Sequence, residues 1–207
     1  MYHLCILTSH FYPVKSSCSS LFKDLIKSLL NHDIKITVMT ISGIKNKIKV
    51  INNKKITYVG INNKYLKSSK NYDRAIGDIV SIFKLMKFYK KKNFMKFDQV
   101  LVYTPSIFWS LLLLKLEKKI VSIKTGDLYP KWLVDHKIIS KLSLSHLFLK
   151  FFEFLLYSQA NNIYVQTKKD ICYLSNYSKI FNFKTKIIYN WIDTNNLPNV
   201  KIKKKKN

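Results

Sequence analysis

One carboxylate stands out by its setting. Asp127, in Lys124-Thr125-Gly126-Asp127-Leu128-Tyr129-Pro130, follows an apolar run and precedes a proline. A carboxylate held there can take a hydroxyl's hydrogen bond or orient a reacting group. It can equally cap a helix over 128–136. A second segment, His10-Phe11-Tyr12-Pro13-Val14-Lys15-Ser16-Ser17, offers an imidazole that titrates near neutrality and two hydroxyls beside backbone amides. Ser16 and Ser17 either line a cleft or form a polar loop ahead of a helix. A third, Ile187-Ile188-Tyr189-Asn190-Trp191-Ile192-Asp193, places Asn190 in a turn or facing a junction. His32 and His136 are further acid–base candidates, His32 as a solvent-facing helix end.

Other chemistries lack their residues. The four glycines are Gly43, Gly60, Gly77 and Gly126, and none sits where the first strand turns into the first helix. The glycine fingerprint of dinucleotide binding is therefore missing, and so is the GKS/GKT of a phosphate-binding loop. No serine–histidine–aspartate arrangement has a defensible spacing. Cys5, Cys18 and Cys172 are far apart, with no CxxC and no Cys/His spacing suited to zinc. No metal or cofactor is expected. Three scattered thiols fit a reducing compartment.

These segments need elements to hold them. Leu4 to Thr8 is a continuous apolar run, as in a strand buried on both faces. Leu21, Leu25, Ile26, Leu29 and Leu30 recur at helical spacing, and Ile34 to Thr40 is a second strand. Together they form a βαβ unit with parallel strands. Segments 47–50 and 55–59 alternate around Asn52-Asn53, which predicts a hairpin. A helix over 72–91 is expected to gather Ile76, Ile79, Val80, Phe83, Met86 and, less regularly, Tyr89 in one stripe. Strands at 98–103, 119–124, 163–166 and 184–189 alternate with helices at 107–116, 140–160 and 168–175. The fold class is an α/β, Rossmann-like doubly wound, mainly parallel sheet with helices on both faces, plus a small β-hairpin near 47–60. Ligands of such sheets bind outside the carboxyl ends of the strands, where the first two segments lie. The third also follows a strand.

The chain has 207 residues, with 37 Lys+Arg against 11 Asp+Glu, a net charge of +26. All the basic residues but Arg74 are lysines. A nucleic-acid reader would favour arginine, whose fork pairs with phosphate and guanine. Part of the charge thus reflects codon usage, and no specific nucleic-acid partner is expected. A surface this basic still attracts polyanions and anionic lipid. The lysine–aromatic segment 87–97 and the aromatic helix around 144–157 suit an anionic membrane surface. Neither a secretory signal nor a membrane-spanning run is apparent, so the expected location is cytoplasmic, with peripheral contact to the inner face of the plasma membrane left open.

Five segments in order resemble the N-terminal, acceptor-side domain of family 4 glycosyltransferases, of the type that builds bacterial O-antigen and capsule sugars. Ser9-His10-Phe11-Tyr12-Pro13 is similar to the family's opening S-x-F/Y-x-P. Asn31-His32-Asp33-Ile34-Lys35-Ile36-Thr37-Val38-Met39-Thr40 follows its G-H-x-V-x-V-x-T. Asp127-Leu128-Tyr129-Pro130 matches D-L-W/Y-P, Ala160 to Thr167 matches A-D-x-I-x-V-x-S, and Ile188 to Asp193 matches I-x-N-G/W-V-D. The resemblance implies a GT-B fold, two Rossmann-like domains with the active site in the cleft between them. It implies a glycosyltransferase domain over 1–193 and a Lys-rich tail or interdomain linker over 194–207. It also implies Asp127 as the catalytic candidate and His10, Ser16, Ser17, Tyr129 and Asn190 as substrate-binding candidates. The implied acceptor is a lipid-linked glycan or polysaccharide. The nucleotide-sugar would need a second domain or a donor-binding partner protein, so this half alone is expected to be inactive. Two departures bear on this: the family's glycine pair is Ser16-Ser17-Cys18 here, and its Glu after D-L-Y-P is Lys131. The alternative is a non-catalytic basic protein that binds nucleic acid or an anionic membrane surface.

Overall fold

The computed structural model describes residues 1–9, 11, 14–42, 48–52, 55–63, 65, 68, 71–91, 96–104 and 106–191. His10, residues 92–95 of the lysine–aromatic segment, and the 194–207 tail lie outside the described residues. Eight strands make one sheet. In chain order they are β1 (Tyr2–Thr8), β2 (Ile34–Ser42), β3 (Ile48–Asn52), β4 (Ile56–Asn62), β5 (Gln99–Tyr103), β6 (Val121–Lys124), β7 (Asn162–Val165) and β8 (Lys184–Ile187). Their order across the sheet is β3-β4-β2-β1-β5-β6-β7-β8. Only β3 runs antiparallel, pairing with β4; every other pairing is parallel. The hairpin expected near 47–60 is therefore no appendage. Its second strand joins β2 in parallel register, Ile36 against Ile56 through Ser42 against Asn62, and its first strand forms the sheet edge.

The chain builds outward from β1 in one direction as far as β3, then returns to build β5 to β8 on the other side. The switch point of this doubly wound sheet thus lies between β1 and β5. Cys5, Ile6 and Leu7 are all buried, because β1 is central and both its faces are covered. One face packs against α1 (Ser17–Leu29), through Phe22 and Ile26 on Ile6, Ile36 and Val38. Burying a phenylalanine there stabilises the fold by about 1.5–3 kcal/mol. The other face carries the larger core, which includes residues of α2 (Asn71–Lys91), α3 (Ser110–Leu113), α4 (Lys131–Asp135), α5 (Leu144–Ser158) and α6 (Lys168–Phe181).

Two helices differ from the sequence expectation. In α2 the buried side chains are Ser81, Ile82 and Leu85, while Ile76, Val80 and Phe83 face solvent. Ile79 and Met86 of the expected stripe do pack against the core, and the inward face also carries Gly77 and Asp78, so counting apolar residues alone misplaces part of the buried side. The segment 128–136 becomes helical only at Lys131, with Pro130 as its N-cap, so Asp127 does not cap it. At the far end Trp191 donates from Nε1 to the carbonyl of Leu21 (2.8 Å) and meets Phe22 edge-on, tying the last described residue to α1.

Candidate functional site

The carboxyl edge of the sheet gathers most of the sequence-derived candidates. Ser16 is the N-cap of α1, just beyond β1. Its hydroxyl accepts from the Ser19 amide at 3.1 Å, and Ser19's hydroxyl accepts from the Ser16 amide at 2.9 Å, a reciprocal capping box. Ser16 holds extended backbone, φ −153°, where a β-carbon costs nothing. Ser17 opens the helix and is exposed. Between these serines and β5, the Thr8 hydroxyl lies 3.4 Å from Cys18 Sγ. Burial pushes the Cys18 thiol up, so it stays protonated.

Asp127 is exposed after β6, and its loop is fixed by backbone contacts. Thr104 Oγ1 donates to the Asp127 carbonyl (3.3 Å) and accepts from the Gly126 amide (3.2 Å). Gln166 Nε2 donates to the carbonyl of Gly126 (3.2 Å), which anchors the same loop to the end of β7. A β-carbon at Gly126 would stand 2.7 Å from the Tyr103 hydroxyl, so glycine permits this close approach. Tyr103 is pushed up to about 12, first by burial and then by its Cys18 and Asp127 neighbours. It is neutral at physiological pH and faces the same small region. Tyr103 and Thr104 are pieces of this edge that motif reading passed over.

A cavity of about 960 Å³ opens at the same edge. Ser9 follows β1, Ser106 follows β5 and Tyr129 follows β6, and all three line it. It therefore straddles the β1/β5 switch point, where doubly wound sheets receive ligands. Its walls are apolar, with Ile76 from α2, Phe108, Trp132, and Leu144 and Phe148 from α5. Its charged groups are Arg74 and Asp78, both on α2. Asn63 Nδ2 donates to Asp78 Oδ1 (3.0 Å), and Ser106 Oγ donates to Oδ2 (2.9 Å). Burial pushes the Asp78 carboxyl up to about 6, against the pull of those two hydrogen bonds and of Arg74. The Asn63 amide reaches Asp78 by lying over Gly77, whose β-carbon would stand 2.2 Å from Asn63 Oδ1. Asp78, Asn63 and Ser106 are far apart in the chain and form no local motif, so sequence reading missed them.

Of the predicted residues, Ser16 and Ser17 follow β1 and Asp127 and Tyr129 follow β6, two strands separated by β5, and of the four Tyr129 lines the cavity. Asn190 is exposed, one residue before the Trp191 anchor. His10 lies outside the described residues, although its neighbour Ser9 is on the cavity wall. His136 is exposed at the end of α4, with Nδ1 2.9 Å from the Trp132 carbonyl oxygen and its ring against the Trp132 ring. Among the described residues no group of three or more His, Cys, Asp or Glu could hold a metal ion. No described helix is long and apolar enough to cross a membrane.

No family model and no curated protein matches the sequence. Solved structures do match by shape. Sucrose-phosphate synthase from Thermosynechococcus elongatus superposes with a TM-score of 0.60 at 11% identity, over 91% of this chain and 48% of that one. A trehalose-6-phosphate synthase gives 0.63 at 10% identity, over 92% and 50%. Phytolacca americana UGT2, complexed with UDP-2-fluoroglucose and pterostilbene, gives 0.58 at 8% identity, over 94% and 55%. The chain spans about half the length of these structures. It thus has the Rossmann-like fold found in the GT-B glycosyltransferases, over about half of such an enzyme.

Proposed function

We propose that this chain is the acceptor-holding half of a family 4-like glycosyltransferase, which moves a sugar from a nucleotide-sugar to a lipid-linked or polysaccharide acceptor. The observation that carries this is the open cavity at the β1/β5 switch point, in a fold that covers about half of enzymes such as sucrose-phosphate synthase. The unit runs over 1–193, with 194–207 as linker. Asp127 orients the reacting acceptor hydroxyl from its loop after β6. Tyr129, Ser16, Ser17, Asn190 and, from the motif alone, His10 are the substrate-binding residues of this reading. The donor is a nucleotide-sugar of the kind bound in the Phytolacca structure. A second domain or a separate subunit holds it. Transfer requires donor and acceptor at one centre, so this half turns over no sugar by itself. Contact with the inner face of the plasma membrane is favoured by the apolar side chains that α5 exposes beside a strongly basic surface.

Calorimetry tests this with two titrants, a decyl-diphosphate-linked monosaccharide and UDP-glucose. The expected result is saturable binding of the acceptor analogue, weakened about tenfold by Asp127→Ala, with no saturable binding of UDP-glucose. Saturable UDP-glucose binding without acceptor binding would assign the chain to the donor side and overturn the proposal.

A further inference from the structure

The polar end of the cavity is built in a way that the acceptor-side proposal does not require. Asp78 is held from two sides by Asn63 and Ser106, yet a carboxylate has about four acceptor sites, and these bonds occupy two of them. Ser9 is 5% exposed, lines the same cavity, and its hydroxyl has no hydrogen-bond partner among the described residues. Tyr129 adds a phenolic hydroxyl to the wall. The lining thus combines hydroxyl groups and a carboxylate with apolar walls of Ile76, Phe108, Trp132, Ile138, Leu144 and Phe148. A buried hydroxyl such as Ser9's costs free energy unless something pairs with it.

The apolar walls do not stop at the rim. Leu144 is 85% exposed and Leu142 94%, and Leu147 and Phe151 follow on the outer face of α5. Across the cavity, Tyr72 and Ile76 of α2 are also exposed. A long apolar body entering the cavity continues outward between α2 and α5 along Tyr72, Ile76, Leu144 and Phe148, with Arg74 as the charged side chain on the α2 wall. The volume, about 960 Å³, lies at the upper end of ordinary ligand sites, roughly 300–1,000 Å³. A cation is the wrong occupant, because Arg74 shares the cavity with Asp78 and the chain as a whole carries +26.

From this juxtaposition we infer that the cavity takes an amphiphilic alcohol end-on, its hydroxyl donating to the Asp78 carboxylate and its apolar body lying between α2 and α5. The inference rests on the acceptor-side proposal and deepens it. It adds to the acceptor an extended apolar body bearing a hydroxyl that Asp78 selects, separate from the reacting hydroxyl that Asp127 orients. Asn63, Ser106 and Gly77 act through Asp78 as positioning residues.

The test uses 1-octanol and octyl methyl ether, which share a chain and differ in the hydroxyl proton. Binding is read from the ¹H–¹⁵N indole signals of the three tryptophans, of which Trp132 lines the cavity while Trp109 and Trp191 do not. Octanol should shift the Trp132 signal saturably and bind about tenfold or more tightly than the ether, the scale of one hydrogen bond to a charged acceptor. Asp78→Asn should remove that preference, and Ser106→Ala should reduce it with the fold intact. Leu144→Asp, on an exposed rim position, should weaken both ligands together. Octyl β-glucoside and octanol carried in anionic vesicles then separate a water-borne acceptor from a membrane-borne one. Equal affinity for octanol and ether, a preference that survives Asp78→Asn, or shifts confined to Trp109 and Trp191 would overturn the inference. Neither probe carries a diphosphate, so loss of octanol binding with intact binding of the decyl-diphosphate sugar removes only the inference. The reverse pattern removes the glycan-acceptor proposal and leaves the alcohol site.

Discussion

At the scale of single residues, Asp78 and Gly77 carry the clearest consequences. The Asp78 carboxyl is pushed up to about 6 from an ordinary 3.8 by burial. Between those values the folded chain holds this proton more tightly than the unfolded chain does. This group's contribution to stability is then largest below about pH 4 and is lost as pH rises through about 6. Urea unfolding of wild type and Asp78→Asn at pH 4 and pH 7 should show it. The wild type should lose on the order of 2 kcal/mol more than the variant across that interval, with Tyr72, Arg74 and Tyr129 the other ionisable groups lining the cavity. Gly77→Ala would drive a methyl to within 2.2 Å of Asn63 Oδ1. Displacing Asn63 breaks its bond to Asp78, so a destabilisation of about 1–3 kcal/mol is expected as a lower Tm. Asp127 stands out in the sequence as a candidate because it sits in a four-residue motif. Asp78 does not, because Asn63 and Ser106 reach it from 15 and 28 residues away.

At the scale of elements, α5 and α6 are joined by a buried polar knot. Glu153 is fully buried and accepts from Lys150 Nζ (2.5 Å), Tyr173 (2.8 Å) and Tyr177 (2.7 Å). Burial, then the Glu153 charge, pushes both tyrosine hydroxyls far above their usual range. Glu153→Ala leaves three donors without their acceptor. Removing one partner of a buried pair costs about 3–5 kcal/mol, and the lower end applies because Lys150 can still reach water. Thermal unfolding checks this, and Glu153→Gln should lose less because it keeps an acceptor oxygen. The sequence made the parallel strands plain, since Cys5, Ile6 and Leu7 or Ile36, Val38 and Met39 leave few alternatives to a doubly covered strand. It misled in part at α2, where the inward face carries Gly77, Asp78 and Ser81, of which Asp78 lines the cavity. Val80 and Phe83 are exposed, and Ile76 is exposed on the cavity wall. A helix whose inward face mixes polar with apolar residues blurs a rule that reads the buried side from apolar spacing.

At the scale of the whole molecule, a charge of +26 and an apolar stripe on α5 act together. Surface lysines near anionic lipid contribute about 1 kcal/mol each, and exposed Leu142, Leu144, Leu147 and Phe151 supply an apolar anchor. Sedimentation should find the chain on anionic vesicles at low salt and progressively free as salt rises. Replacing Leu147 and Phe151 together by aspartate should abolish binding without lowering Tm, because both side chains are already exposed. Tight, sequence-blind binding to duplex DNA at physiological salt would instead favour the basic-protein alternative.

The central claim is that the carboxyl edge around the β1/β5 switch point receives an acceptor. Backbone amide exchange with and without the decyl-diphosphate-linked monosaccharide tests it most directly. The account predicts slowed exchange at Thr104 and Ser106, at Gly126 to Tyr129, and at the amino end of α5. It predicts no change at the opposite edge of the sheet, around Asn31 to Asp33 and Glu117 to Lys119. Protection of the carboxyl edge by UDP-glucose and not by the acceptor analogue would contradict it.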